Sequence, residues 1–227
     1  MYVKFYFLIE DWSGSELIDA LMKKIQATER EFDYEYKHFG GLGGFSKSRT
    51  PKEEKNGRLL NDLPIYLRGF NKKLSAIPKE AGIFSLFVVL DNDTRETANF
   101  QSQLQQIAVD NGITIDHAFC IAVEEMEAWL LGDSDAVIMA YPNAKKKILN
   151  SYEQDSVCGT WELLADAVYP DGHEALKKEG YARIGQCKGE WARKIGALIS
   201  LDKDKSPSFQ RFLSAVYQRL PDASAET

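Results

Sequence analysis

One feature constrains this chain more than any other: four short runs rich in aromatic and β-branched residues alternate with stretches whose apolar residues recur at helical spacing. The first run, Tyr2 to Ile9, is apolar almost throughout, which suits a strand buried on both faces of a sheet. After a polar turn at Asp11 to Gly14, Ser15 can cap a helix whose stripe is Leu17, Ile18, Leu21, Met22 and Ile25. FDYEYKHF alternates as a second strand, Asn61 or Asp62 can cap a second helix with Pro64 in its first turn, and Ile83 to Leu90 is a third strand. A third helix is expected from about Arg95 to Asn111, then ITIDHAFCIAV as a fourth strand and a further helix opened by EEMEAWLLGD. Strands joined in this way need right-handed crossovers. The pattern therefore predicts an α/β fold: an open, mainly parallel four-stranded sheet of Rossmann-like kind, helices on both faces, and strands one, three and four side by side.

Beyond about Asp135 the strand signals stop. Trp191, Ile195, Leu198 and Ile199 form one helical stripe, and Phe209, Phe212, Leu213, Val216, Tyr217 and Leu220 form another behind Ser206 and Pro207. Residues 1–135 are thus expected to form the α/β domain, with residues 136–227 a helical extension packed on it. GGLGGFSKSRTPKEEKNG reads as a long flexible loop, and the tail PDASAET as disordered.

With 44% apolar residues the chain can bury a real core. No run is long and apolar enough for a membrane span, and acids come too early for a signal peptide, so a cytoplasmic protein is expected. Cys120, Cys158 and Cys187 are too far apart for a zinc site and should stay reduced, Cys120 in the core. A net charge of −6 argues against general nucleic-acid coating but leaves room for a local basic groove.

Ligands of open parallel sheets bind beyond the carboxyl ends of the strands, and here the acids gather. The first strand ends at Glu10 and Asp11, the third at Asp91 and Asp93, and the fourth runs into Glu124, Glu125 and Glu127. Side chains alternate along a strand, so Asp91 and Asp93 point the same way if the strand continues through both. Crowded carboxylates raise one another's pKa unless a cation sits among them, and oxygen-only donors suit Mg2+ or Mn2+ better than zinc or copper. Each acid also has a plainer reading. Asp91 and Asp93 can cap the next helix, Glu10 can be a solvated turn acid, and the three glutamates can be charges favoured by a helix dipole.

The segments LIED and VVLDND, set in this βα order, resemble the Toprim domain of topoisomerases, primases and OLD-family nucleases. CIAVEEMEAWLLGD and the distal SPSFQRF also resemble an uncharacterised bacterial Toprim-like family, domain of unknown function 4276; together the matching segments lie between Val3 and Phe212. The resemblance implies that Glu10 is the acid–base residue, that Asp91 and Asp93 hold Mg2+, and that Glu125 and Glu127 add acids to the site. It also implies a bacterial defence system with an ATPase partner. The first turn departs from the nucleases, since EDWSGSE puts Asp11 directly after Glu10 and the next acid at Glu16.

The function expected from these readings is Mg2+- or Mn2+-dependent cleavage or nicking of DNA or RNA, with Glu10 also able to bind metal. Lys47, Arg49 and Lys188 are the candidate nucleic-acid contacts; a solvated loop and a helix-face charge are their plainer readings. The alternative is a non-catalytic Toprim-like module docking onto an AAA- or ABC-type ATPase, and a homodimer is a further expectation. A haloacid-dehalogenase-type phosphatase fits poorly, because Arg95 stands where that chemistry needs a hydroxyl. A nucleotide-sugar transferase leaves the acids after strands one and four without a role.

Overall fold

The computed structural model describes residues 1–28, 31–45 and 57–221. The stretch carrying Lys47, Arg49, Lys52 and Lys55, and the tail from residue 222, lie outside the described residues. β1 (Val3–Ile9), β2 (Asp33–His38), β3 (Ile83–Asp91) and β4 (His117–Ala122) form one sheet in the order β2-β1-β3-β4, every neighbouring pair parallel. Parallel neighbours need crossover connections, supplied by α1 (Trp12–Gln26), α2 (Leu59–Ser75) and α3 (Thr97–Asp110). The open α/β sheet expected from the alternation is present, with the first, third and fourth strands adjacent.

The period of a strand divides the molecule into two cores. Phe5, Phe7 and Ile9 face α1 and the later helices, whereas Tyr6 and Leu8 face α2 and α3. After β4 the chain is helical: α4 (Glu127–Leu131), α5 (Ser134–Ala140), α6 (Lys146–Leu149), α7 (Thr160–Val168), α8 (Gly172–Lys178), α9 (Tyr181–Gly196) and α10 (Pro207–Tyr217). These helices share the α1 side of the sheet, where Trp129, Trp191, Ile195 and Phe212 join the same buried cluster as Phe87 and Leu17. Phe212 stacks on Trp129 with ring centroids 5.0 Å apart and meets Phe87 edge-on at 6.5 Å. Burial of each such side chain stabilises the fold by about 1.5–3 kcal/mol. Among the described residues no helix is long and apolar enough to cross a membrane.

Two helix starts differ from the sequence expectation, and both differences shape the rim of the sheet. α1 begins at Trp12: Asp11 caps it by accepting the Gly14 N–H at 2.7 Å, and Ser15 lies inside the helix with its hydroxyl bonded to the Trp12 carbonyl. A carboxylate at the last extended residue satisfies a first-turn N–H before Ser15 is reached. α2 begins two residues ahead of Asn61, and backbone carbonyls take the place of a side-chain cap. Leu59 and Leu60 donate to Gly41 and Leu42 at 3.0 and 2.8 Å. The first part of the glycine-rich segment is therefore not a free loop. Gly41, with φ of 113°, also donates its N–H to the Glu10 carbonyl at 3.0 Å, which ties the segment to the end of β1.

Candidate functional site

Parallel pairing brings the ends of β1, β3 and β4 to one rim, and backbone bonds continue past the strands. Glu10 N–H donates to the Val89 carbonyl and Asn92 N–H to the Ala122 carbonyl, both at 3.1 Å. Asn92, only 1% exposed, fastens the two turns: its amide donates to the Arg95 carbonyl at 2.9 Å and the Thr97 hydroxyl at 2.8 Å, while its oxygen accepts the Glu124 N–H at 2.5 Å. Asp93 and Glu124 are forced into left-handed backbone there, with φ of 50° and 62°, and Asp93 N–H donates to the Glu124 carbonyl at 3.0 Å. Such backbone costs about 1–3 kcal/mol per residue and persists only where its surroundings over-determine it.

On this rim Glu10, Asp91, Glu125 and Glu127 come together around Lys188 of α9. The Asp91 N–H donates to Glu10 Oε2 at 3.0 Å. Lys188 Nζ lies 3.1 Å from Glu127 Oε2 and 3.4 Å from Glu125 Oε1. The first contact is an ion pair without hydrogen-bond alignment, since Glu127 Oε2 has no formed hydrogen bond. Glu125 Oε2 accepts from the Thr160 hydroxyl and the Trp161 N–H, both at 3.3 Å. Asp91 Oδ1 is buried and has no partner.

Burial pushes the Glu10 carboxyl up to about 8, opposed by the Asp91 N–H and helped by the charges of Asp11 and Asp93. Burial, followed by the Glu10 charge, holds Asp91 well above the ordinary carboxylate range. Burial also raises Glu125 and lifts Glu127 to about 7, against the pull of Lys188. For Lys188 burial works against its charge, but Glu127, Glu125 and Asp91 outweigh it and keep the ammonium protonated. Four carboxylates around one ammonium retain excess negative charge, which protons or another cation must offset.

The remaining acids have other places. β3 ends at Asp91 and Asp93 has a left-handed φ, so the strand alternation stops before Asp93; its carboxylate is more than half exposed and bonds Arg95 Nη1 at 2.6 Å. Neither aspartate caps α3, because Glu96 does so through the Ala98 and Asn99 N–H groups at 2.9 and 2.7 Å. Glu124 turns from the rim to the start of α7, accepting the N–H groups of Cys158, Gly159 and Thr160 at 3.1, 2.8 and 3.0 Å. Lys47 and Arg49 lie outside the described residues. Arg193 reaches Glu16 at 3.5 Å and stands 60% exposed. The sequence reading missed Asn92 as the fastener, although an asparagine between two strand-end aspartates was its signal, and it marked Lys188 only as a candidate nucleic-acid contact, not as the centre of the acids.

The donors suit a hard divalent cation, being oxygen only and including the unpartnered Asp91 Oδ1. Among the described residues no three His, Cys, Asp or Glu side chains stand in a ready-made ligand arrangement. The cation that these carboxylates face in this structure is the Lys188 ammonium.

Fold and rim define the class, an open parallel α/β protein with buried carboxylates at the carboxyl edge of its sheet. Residues 9–217 match the family described as Domain of unknown function (DUF4276), and the chain belongs to that family. No curated protein and no solved structure matches it. EEMEAWLLGD and SPSFQRF meet in the core, where Trp129 Nε1 donates to Ser208 Oγ at 2.9 Å.

Proposed function

We propose that this protein is a metal-dependent nuclease of the Toprim type, cleaving or nicking phosphodiesters of DNA or RNA with Mg2+ or Mn2+. The observation that carries the reading is the convergence of Glu10, Asp91, Glu125 and Glu127 on one rim with Asp91 Oδ1 buried and unpartnered. A bound divalent ion would neutralise phosphate charge and activate water there. Asp91, Glu125 and Glu127 would hold it; Asp93, paired with Arg95, stands as the outer member, and Glu10 can add an oxygen. Glu10 would hold or move a proton at the oxygen that the Asp91 N–H does not engage. Lys188, freed from Glu127, would contact a phosphate, with Lys47 and Arg49 as the further contacts. The same reading sets the protein in the bacterial cytoplasm, in an anti-phage system with an AAA- or ABC-type ATPase, as a homodimer.

One observation favours a second reading, a non-catalytic Toprim-like module that docks onto the ATPase: Lys188 already sits among the carboxylates. Incubation of the wild type and Asp91→Asn with plasmid DNA, single-stranded DNA and RNA in Mg2+ or Mn2+ decides between them. Metal-dependent cleavage by the wild type, lost in Asp91→Asn, is expected. Metal binding without cleavage of any substrate, alone or with the ATPase, makes the binding module the better account.

A further inference from the structure

Trp12 is the first residue of α1 and directly follows the strand-end acids Glu10 and Asp11, yet its side chain does not enter the core. It remains 40% exposed, with its six-membered ring resting on α9 at Gly189. Gly189 is buried by that contact, and a Cβ there would lie 2.2 Å from Trp12 Cζ3. Glycine is the poorest helix former after proline, so α9 gives up helix stability at an interior position, and the gap it leaves seats a half-exposed indole. The seat adjoins Lys188, the residue whose ammonium stands among the rim carboxylates.

The same face of α9 continues away from Trp12. Gly185 lies one turn before Gly189, and a Cβ at Gly185 would meet nothing within 4 Å. Two turns before Gly189 is Tyr181, 93% exposed. Beside it Trp161, with Lys177 Nζ 5.5 Å from its ring centroid, lines a cavity of about 410 Å3 together with Tyr181 and Ile184. Trp161 is tied to the carboxylate site, because its N–H donates to Glu125 Oε2. Aromatic rings therefore stand at both ends of the stretch from Tyr181 to Gly189, which is open at Gly185, and Lys188 within it meets Glu125 and Glu127. At about 1.5 Å per residue the face from Gly189 to Tyr181 is roughly 12 Å long, enough for about three stacked nucleotides.

Resting on the nuclease reading of the site, we propose that Trp12, Gly185, Tyr181 and Trp161 form a stacking track for unpaired bases, which directs single-stranded nucleic acid across the carboxylate rim. Every base has a flat face, so aromatic platforms hold single strands with little sequence preference, whereas a paired and stacked duplex offers them no free face.

Binding of a fluorescently labelled twelve-nucleotide dT strand, and of a duplex of equal length, is measured by anisotropy at low salt in EDTA. The single strand is expected to bind about tenfold more tightly than the duplex. Trp12→Ala should weaken that binding about tenfold, and Trp12→Phe should keep most of it. Gly185→Leu, which improves helix propensity and fills the open face, should also weaken binding while the thermal midpoint holds, so the proposal does not depend on Trp12→Ala folding. No binding of either form, equal binding of the duplex, or variants within twofold of the wild type would overturn it. The absence of metal separates this test from the nuclease reading. Single-strand binding without cleavage in any metal keeps the track and removes the nuclease; cleavage of duplex and single strand alike by the Trp12→Ala protein does the reverse.

Discussion

Two sets of acids in this molecule are built in opposite ways. Asp155, Asp133 and Glu124 are each supplied with three donors: Asp155 accepts from the hydroxyls of Ser206 and Ser208 and the Ser208 N–H, Asp133 from the N–H groups of Asp135, Ala136 and Ser200, and Glu124 from the first turn of α7. Each of them fastens one segment of the helical half to another. The rim acids Glu10, Asp91 and Glu127 instead face one another and one lysine with few donors, and Glu125, held by Thr160 and Trp161, shares that lysine. A carboxylate fully supplied with donors holds a fold, whereas carboxylates left facing one another store repulsion that a cation relieves.

The largest test of that contrast is Lys188→Met, which leaves the rim acids without their ammonium. Removing one partner of a buried ion pair costs about 3–5 kcal/mol. Urea unfolding without metal should show a loss of that size, and Mn2+ should recover more stability in the variant than in the wild type. A loss below about 1 kcal/mol would mean that the lysine is not the counter-ion of the cluster. Next in size is Asp155→Ala, which strips donors' partners from the start of α10 beside Trp129. A loss of about 3 kcal/mol is expected, with Mn2+ affinity unchanged. If metal affinity falls with stability, the two sets of acids are not independent.

Asp204 sharpens the comparison because it belongs to the helical half yet is left half supplied. Its Oδ1 accepts the Ser206 N–H at 2.8 Å, Oδ2 has no partner, and burial lifts its pKa to about 7. The folded state thus keeps a proton that the unfolded chain releases near the ordinary value of 3.8. Its support for the fold is complete below that value and is lost as pH rises to about 7. Asp204→Asn should reduce the stability difference between pH 5 and pH 8 by about 2 kcal/mol, measured by urea unfolding at both values. An unchanged difference would place the pH dependence elsewhere.

The sheet was legible because its inner strands are buried on both faces, which leaves continuous apolar runs, and parallel topology then carries Glu10, Asp91 and Glu125 to one rim. Details decided by a single backbone angle were not legible. Asp93 departs from the Asp91 side because β3 ends two residues before it and Asp93 is left-handed. Lys188 reaches Glu125 across 63 residues of sequence, and nothing in helical spacing separates it from an ordinary surface lysine. Glu124 could be read as a helix N-terminal acid, but the helix it caps is α7, not the one it precedes. The start of α2 escaped the sequence because backbone carbonyls at Gly41 and Leu42, and not Asn61 or Asp62, receive its first N–H groups.

The smallest expected change in stability gives the most direct test. Asp91→Asn keeps the shape of the side chain and removes one charge from the crowded rim. Calorimetric titration of Mn2+ into both proteins, with urea unfolding of both in its absence, measures the two quantities that matter. The account predicts that Mn2+ affinity falls at least tenfold while metal-free stability stays within about 1 kcal/mol of the wild type or rises. Strong destabilisation with unchanged metal affinity would contradict it, since Asp91 would then serve the fold as Asp155 does.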